Sequence, residues 1–258
     1  MRLIIKYLAI HLKSQMQYKL SFFLAIFGQF LVSFTVFLSI YFMFARFNHV
    51  QGFSYQETLI CFAAMLAAFS LAETFARGFD TFPQVLGNGE FDRALVRPRS
   101  VIFLVLAGKM DFTRLARLLQ ALVVLAYAVP NCGVIWTPDK VLTLALMILC
   151  GSLVFSSLFL VYAAFAFFTT EGLEFMNILT DGAREFGRYP FVIYGQNVLR
   201  FVTFVVPLAL FQYYPLLYLL DRQQSALFMC MPCVSLLFML PAYGFFRFGL
   251  RHYRSTGS

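Results

Sequence analysis

Residues 81–100, TFPQVLGNGEFDRALVRPRS, separate two apolar segments of the chain. Only 12% of the whole sequence is charged, whereas this stretch concentrates charge. Its charged residues are Glu90, Asp92, Arg93, Arg97 and Arg99. Charged groups pay a large penalty when they leave water. The stretch therefore predicts that residues 80–100 form a surface loop between two membrane helices.

Turn and helix signals divide this loop into short elements. Thr81 can N-cap a short helix that has Pro83 in its first turn, and Gly-Asn-Gly at residues 87–89 is a turn signal. Residues 90–96 predict a second short helix. It should end before Pro98, because the residue before a proline is pushed out of the helical region. We interpret the loop as a compact contact element; an ordinary solvated loop is the alternative.

The composition is that of a polytopic membrane protein. The 258 residues are 61% hydrophobic and include 34 Phe, with a mean hydropathy of +0.78. A spanning helix needs about 20 apolar residues to cross a hydrocarbon core of about 30 Å. Six segments are predicted to span: Leu20–Ala45, Tyr55–Ala76, Thr113–Val129, Val141–Phe168, Asn197–Leu220 and Ser225–Leu250. We therefore predict an all-α fold in which residues 1–258 form one transmembrane domain.

The distribution of Lys and Arg predicts how the chain is oriented. With six spans and a cytoplasmic N-terminus, 17 of the 20 basic residues lie on the inner side. Only Arg46, Lys140 and Arg222 lie on the outer side. This asymmetry is the positive-inside pattern. Both termini are therefore predicted to be cytoplasmic, and the net charge of +8 is attributed to membrane orientation and lipid rather than to nucleic acid.

Two further segments are predicted on the cytoplasmic side. Residues 1–19 place apolar side chains at helical spacing with basic residues between them, which predicts an interfacial helix. Residues 170–197 contain acidic, Arg and Gly residues and are expected to stay outside the membrane before the fifth span. No cleaved signal peptide is expected, because the first apolar run of 26 residues is too long for one.

The sequence lacks the motifs of an enzyme. Gly108-Lys109 is followed by Met110 and has no earlier glycine at the P-loop spacing, so the chain cannot cradle ATP by itself. No cofactor or metal is expected on the chain. Cys230 and Cys233 lack the context of a redox motif and are interpreted as small apolar residues.

The charged residues near the spans are interpreted as structural. Glu73 and Arg77 are four residues apart and predict an ion pair at the membrane surface. Arg114 and Arg117 are expected to extend to the inner surface from the third span. Acidic residues are nearly absent from the middle of the spans, where a charge costs at least about 2.5 kcal/mol, which disfavours an ion-coupled carrier.

Five stretches together resemble a known family. They are GEFDRALVRP (Gly89–Pro98), RLARLLQALVVLAYA (Arg114–Ala128), REFGRYPFVIY (Arg184–Tyr194), YYPLLYLL (Tyr213–Leu220) and GLRHYRSTGS (Gly249–Ser258). The first resembles a Gly-x-x-Asp-x-x-Leu-x-Arg-Pro signature, and the third resembles Glu-Phe-x-Arg-Tyr-Pro. In this order they resemble bacterial six-span permease subunits of the second class of ABC exporters, the ABC-2 family.

The resemblance implies partners and roles. It implies a separate ATP-binding subunit in two copies, which carries ATP and Mg, and a second permease subunit, identical or related, in the bacterial cytoplasmic (inner) membrane. A coupling role toward the ATPase falls on Gly89, Glu90, Phe91, Asp92, Leu95, Arg97 and Pro98. A second inner contact falls on Glu185, Phe186, Arg188, Tyr189 and Pro190.

Two alternatives to an export permease remain open from the sequence. The chain could be a membrane assembly or scaffold subunit without a substrate path, or, less in keeping with its few acidic residues, an ion-coupled carrier. The substrate is not legible. A phenylalanine-rich lining suits an amphipathic molecule, but phenylalanine is also common on any membrane surface.

Overall fold

The computed structural model describes residues 2–169 and 174–253, and α-helices dominate both ranges. The helices are α1 (Arg2–Gln15), α2 (Lys19–Arg46), α3 (Tyr55–Phe75), α4 (Arg77–Asp80), α5 (Phe82–Gly87), α6 (Glu90–Leu95), α7 (Val101–Gly108), α8 (Leu115–Asn131), α9 (Pro138–Phe165), α10 (Glu174–Phe186), α11 (Gln196–Phe204), α12 (Leu208–Phe211), α13 (Tyr213–Leu219), α14 (Ala226–Ser235) and α15 (Met239–His252). No named β-strand occurs in these ranges. The predicted all-α fold is confirmed.

Five continuous helical segments in the described ranges are long and apolar enough to cross a membrane. They are Ile5–Arg46, Tyr55–Phe75, Phe112–Asn131, Pro138–Phe165 and Ala226–His252. A sixth crossing requires α11 and α12–α13 to act as one bent pair. The chain is therefore a multi-pass membrane protein.

The predicted fifth span, Asn197–Leu220, is broken rather than continuous. Its two parts, Gln196–Phe204 and Leu208–Leu219, meet at an angle of 89°. Pro207 lies at the break, where it lacks an N–H donor and adopts a non-helical backbone conformation. Bent segments of this kind are tolerated in a membrane when neighbouring helices satisfy the backbone.

Helix α3 forms the centre of the bundle. Buried residues make up 89% of its apolar window, against 11% for the segment that contains α2. Alanines such as Ala63, Ala64, Ala67 and Ala68 let α8 and α9 approach it closely. Helix α2 instead leaves most of its surface exposed.

Helix α1 packs beside α7. The His11 Nε2 atom lies 2.8 Å from the Ala107 carbonyl oxygen, and the Phe112 N–H donates to Gln15 Oε1 at 3.0 Å. The Tyr7 and Phe103 rings meet edge to face. A helix in the first 19 residues is confirmed, whereas its position on a leaflet stays a prediction.

The two ends of the bundle carry different charge patterns. The charged end is defined by Glu73, Arg77 and Arg114, which lie close together. At the opposite end, Arg222 pairs with Glu57 at 2.8 Å and Lys140 pairs with Asp221 at 2.7 Å. Two of the three basic residues assigned to the outer side are therefore neutralised by local ion pairs.

Candidate functional site

The charged stretch folds into a chain of short helices at the charged end. We call residues 77–98, which contain α4, α5 and α6, the loop element. Gly89 adopts a left-handed φ of +71° between α5 and α6, which glycine adopts without a steric penalty. The predicted turn and both short helices are confirmed.

The predicted side-chain cap by Thr81 is wrong. Thr81 precedes α5, and no side-chain capping bond is formed there. The Thr81 hydroxyl instead donates to the Arg77 carbonyl oxygen at 3.1 Å, because α4 already places that acceptor one turn earlier. The hydroxyl therefore closes α4 rather than opening α5.

A cluster of aromatic rings anchors the loop element to the bundle. The Phe91 side chain is fully buried, and its ring centroid lies 5.0 Å from that of Phe82 and 5.1 Å from that of Tyr253. Phe167, just beyond α9, lies 5.7 Å from Phe91, and Phe246 of α15 lies 5.9 Å from Phe82. Offset edge-to-face ring pairs of this kind stabilise beyond their burial alone. The loop element is thus fixed to the ends of α9 and α15.

The predicted coupling residues divide into two groups. Phe91 and Asp92 face the bundle, where the Tyr253 hydroxyl donates to Asp92 Oδ1 at 3.0 Å. The residues exposed around α6 are Glu90, Leu95, Arg97 and Pro98, together with Arg93 and Val96, which are not among the predicted coupling residues. Val96 is 84% exposed, so an apolar side chain projects from the tip of the element.

An ion-pair network lies beneath the loop element. Glu73 is only 3% exposed, and its carboxylate is 2.8 Å from Arg117 Nη1, 3.3 Å from Arg114 Nη1 and 3.4 Å from Arg77 Nη1. Arg77 also pairs with Asp80 at 2.6 Å. The predicted pair of Glu73 and Arg77 is confirmed as one part of a larger network that joins α3, α4 and α8.

Arg117 does not extend to the surface as the sequence predicted. It is 6% exposed and turns inward to Glu73. The reason is that Glu73 supplies a buried carboxylate at the same depth on the neighbouring helix. A buried guanidinium needs such a partner.

Two carboxylates beside the spans have shifted pKa values. Burial raises the pKa of Asp80 above its usual value, although the Arg77 charge opposes the shift. Burial also acts to raise the pKa of Asp111, but hydrogen bonds from Thr113 and the charge of Arg114 hold that pKa below its usual value. Both groups lie where the loop element joins the bundle.

Within the described residues no cluster of His, Cys, Asp or Glu suits a metal ion.

The second predicted contact segment packs against α3. Gln212 Nε2 donates to the carbonyl oxygens of Gly187 at 3.2 Å and Tyr189 at 3.0 Å, and Gly187 packs on Met65 of α3. These contacts hold this part of the backbone near the middle of α3. It carries the predicted contact residues Glu185, Phe186, Arg188, Tyr189 and Pro190. A contact between these residues and a partner stays a prediction, and residues 170–173 of the predicted segment 170–197 lie outside the described residues.

Comparison with known proteins identifies the family. The family model described as ABC-2 family transporter protein matches residues 30–257. The chain belongs to the ABC-2 transporter family. Members are the permease components of ABC transporters, which work with an ATP-binding partner and have no ATPase motif of their own. No curated protein and no solved structure matches the chain.

The close approach of two backbones in this ABC-2 permease yields a first prediction. A Cβ atom at Gly78 of α4 would lie 1.9 Å from the Val105 carbonyl oxygen of α7. Gly78→Ala must therefore push α4 and α7 apart, and we expect a loss of about 1–3 kcal/mol in the free energy of unfolding.

The matched control is Gly108→Ala on α7, where nothing lies within 4 Å of the added Cβ atom. We expect its thermal midpoint in detergent to match that of the unsubstituted protein. Equal midpoints for Gly78→Ala and Gly108→Ala would show that α4 and α7 are not closely packed.

Proposed function

We propose that the chain is the membrane-spanning subunit of an ATP-driven exporter and that the loop element receives the motion of a separate ATP-binding subunit. The observation that carries this proposal is the division of α6 into an exposed tip and a buried anchor. Leu95 and Val96 are 41% and 84% exposed, while Phe91 is fully buried. A partner that binds the exposed tip therefore acts on a helix, α6, that is fixed to the bundle.

The contacts suggest how force passes from the loop element to the spans. Displacement of α6 acts through Phe91 on Phe167 and Tyr253, at the ends of α9 and α15. Displacement of α4 acts through Arg77 and the shared Glu73 carboxylate on Arg117 of α8. Closely packed elements transmit such shifts because they have low compressibility. ATP-driven closure of the partner would thus tilt several spans together.

The charge beside α6 suggests the chemistry of the partner surface. A cleft of about 620 Å³ lies between the loop element and α7. Its charged lining residues are Glu90, Arg93, Arg97 and Lys109, and the partly exposed Val85, Ala94 and Leu104 contribute apolar surface. Because three cations face one carboxylate, the cleft favours a partner surface that presents acidic side chains next to apolar side chains.

The remaining parts of the proposal follow from the family. We propose two copies of the ATP-binding subunit, which hold ATP and Mg, and a second permease subunit that is identical or related. We place the assembly in the bacterial cytoplasmic membrane with the charged end and both termini on the cytoplasmic side. The 17 basic residues assigned to that side support the orientation.

Co-purification tests the proposal directly. The tagged chain is expressed with its neighbouring genes, solubilised gently, and the bound proteins are identified. We expect an ATP-binding subunit in an equal amount. The double variant Leu95→Asp/Val96→Asp should lower both its recovery and the transport-coupled ATPase activity at least about tenfold, since an unpaired carboxylate placed in an apolar contact is costly to bury.

The control is Ile135→Asp, which also places a charge on an exposed apolar residue but precedes α9, far along the chain from the loop element. It should leave ATPase recovery unchanged. Recovery of the chain without any ATP-binding protein would contradict the proposal. Full ATPase recovery with the double variant would remove the role assigned to α6.

A further inference from the structure

A second cavity lies inside the bundle, apart from the loop element. It is lined by residues of α2, α3 and α8 and by residues at and just beyond the end of α10. Its volume is about 70 Å³, whereas one water molecule needs about 10–15 Å³. The cavity therefore has room for a group larger than a single water. The lining residues that matter here are Arg117, Arg184, Glu185, Arg188, Val36 and Phe62.

The polar side of this cavity is rich in guanidinium groups. Arg117, Arg184 and Arg188 line it, and Glu185 is the carboxylate among the lining residues. Glu185 is shared, because it pairs with Arg184 at 2.8 Å and also contacts Arg188. The other carboxylates near these arginines, Glu73 and Asp181, are not among the lining residues. The lining residues therefore carry three positive charges and one negative charge, while Glu73 and Asp181 pair with two of the arginines from outside the lining.

Arg117, one of the lining arginines, keeps a hydrogen-bond donor that its ion-pair partner does not use. The residue is 6% exposed, and Glu73 engages its Nη1 atom at 2.8 Å. The Nε atom, in contrast, is buried and has no hydrogen-bond partner in the protein. A buried donor without a partner is costly, particularly on a charged group.

The other side of the cavity is apolar and includes part of the exposed helix α2. Val32 and Val36 of α2 lie there opposite Phe62 and Leu66 of α3. Val32 is 54% exposed, and only 11% of the apolar window that contains α2 is buried. An apolar chain can therefore follow α2 from the cavity into the surrounding lipid.

We propose that this cavity binds the phosphate head group of an anionic phospholipid, with an acyl chain lying against Val32, Val36 and Phe62. Guanidinium groups recognise phosphate oxygens through strong charge-assisted hydrogen bonds. A free phosphate ion satisfies the arginines equally well but leaves the apolar wall unused, which favours a lipid from the bilayer. The site needs neither ATP nor a partner subunit, so its test does not depend on the proposed transport function.

Lipid binding to the purified full chain tests the proposal. The affinity for the first bound lipid is measured by native mass spectrometry with phosphatidylglycerol and with phosphatidylcholine of the same acyl chains. We expect phosphatidylglycerol to bind at least about tenfold more tightly, and Arg188→Gln to remove most of that preference. Arg247→Gln, which removes one charge from an exposed site on α15, should keep the preference.

A second variant tests the site without a change in charge. Val32→Trp adds bulk to the apolar wall, and we expect it to weaken phosphatidylglycerol binding about tenfold while Arg247→Gln has no effect. Equal affinity for the two lipids, or unchanged binding with both Arg188→Gln and Val32→Trp, would overturn the proposal. Displacement of phosphatidylglycerol by an equimolar amount of inorganic phosphate would overturn the assignment to a lipid.

Discussion

Replacement of Glu73 by glutamine is expected to lower the free energy of unfolding by about 3–5 kcal/mol, the usual cost of breaking a buried ion pair by removing one partner. Glu73 is 3% exposed and is shared by three arginines. Arg77 and Arg114 retain Asp80 and Asp111 as partners after the change. In the described part of the chain, Arg117 forms its ion pair with Glu73. Glutamine at position 73 therefore leaves the Arg117 charge buried and uncompensated.

A second substitution tests whether the loss of stability comes from the uncompensated charge of Arg117 rather than from the altered side chain at position 73. The double variant Glu73→Gln/Arg117→Met removes the uncompensated cation, and we expect it to recover most of the lost stability. Glu90→Gln, at an exposed position, should change the free energy of unfolding by no more than about 0.5 kcal/mol. Unfolding of the purified protein in detergent, followed with denaturant, provides the measurement. If the Glu73→Gln variant is as stable as the Glu90→Gln variant, Glu73 does not stabilise the fold through its ion pairs.

The network also shows what the sequence did not predict. Glu73 and Arg77 are four residues apart on one helix, so their pair follows from local geometry. The pairing of Glu73 with Arg117 joins residues 44 positions apart and depends on how α3 and α8 pack. The signal was present as an acidic residue in one predicted span and basic residues in the next. Only the tertiary arrangement could show that they lie at the same depth.

The loop element was predictable to a greater extent. Gly89, Pro98 and the helical pattern between them are local signals, and they predicted both the turn and α6. The sequence did not separate inward from outward residues, because six residues are too few to establish a helical periodicity. Asp92 and Leu95 therefore appeared equivalent, although Asp92 meets Tyr253 and Leu95 is exposed.

The segment around α10 to α13 was the least predictable. Its charge and glycine content suggested a cytoplasmic segment followed by one span. In the structure, Gln212 holds the Gly187 and Tyr189 carbonyl groups near the middle of α3, and Pro207 lies at a bend of 89°. Irregular backbone is stable at that depth only where protein groups satisfy it. Composition alone does not reveal such long-range hydrogen bonds.

Phe91→Ala is expected to have the second large effect, a loss of about 3–5 kcal/mol, because it removes a fully buried ring from a packed cluster. The loss acts first on α6, which has six residues and in which Phe91 is the buried one. We therefore expect α6 to detach while the spans remain folded. Hydrogen exchange of residues 90–96 should accelerate far more than that of α3.

The same variant links stability to the proposed coupling. If a rigid attachment transmits force, Phe91→Ala should reduce transport-coupled ATPase activity even though Leu95, Val96 and Arg97 remain available for binding. Phe204→Ala is the matched control, since Phe204 is 83% exposed and belongs to α11. Normal coupling with a detached α6 would mean that the partner acts on another surface. Retained exchange protection of α6 would mean that Phe82 and Tyr253 hold the loop element without Phe91, so that the buried ring is one of several anchors rather than the principal one.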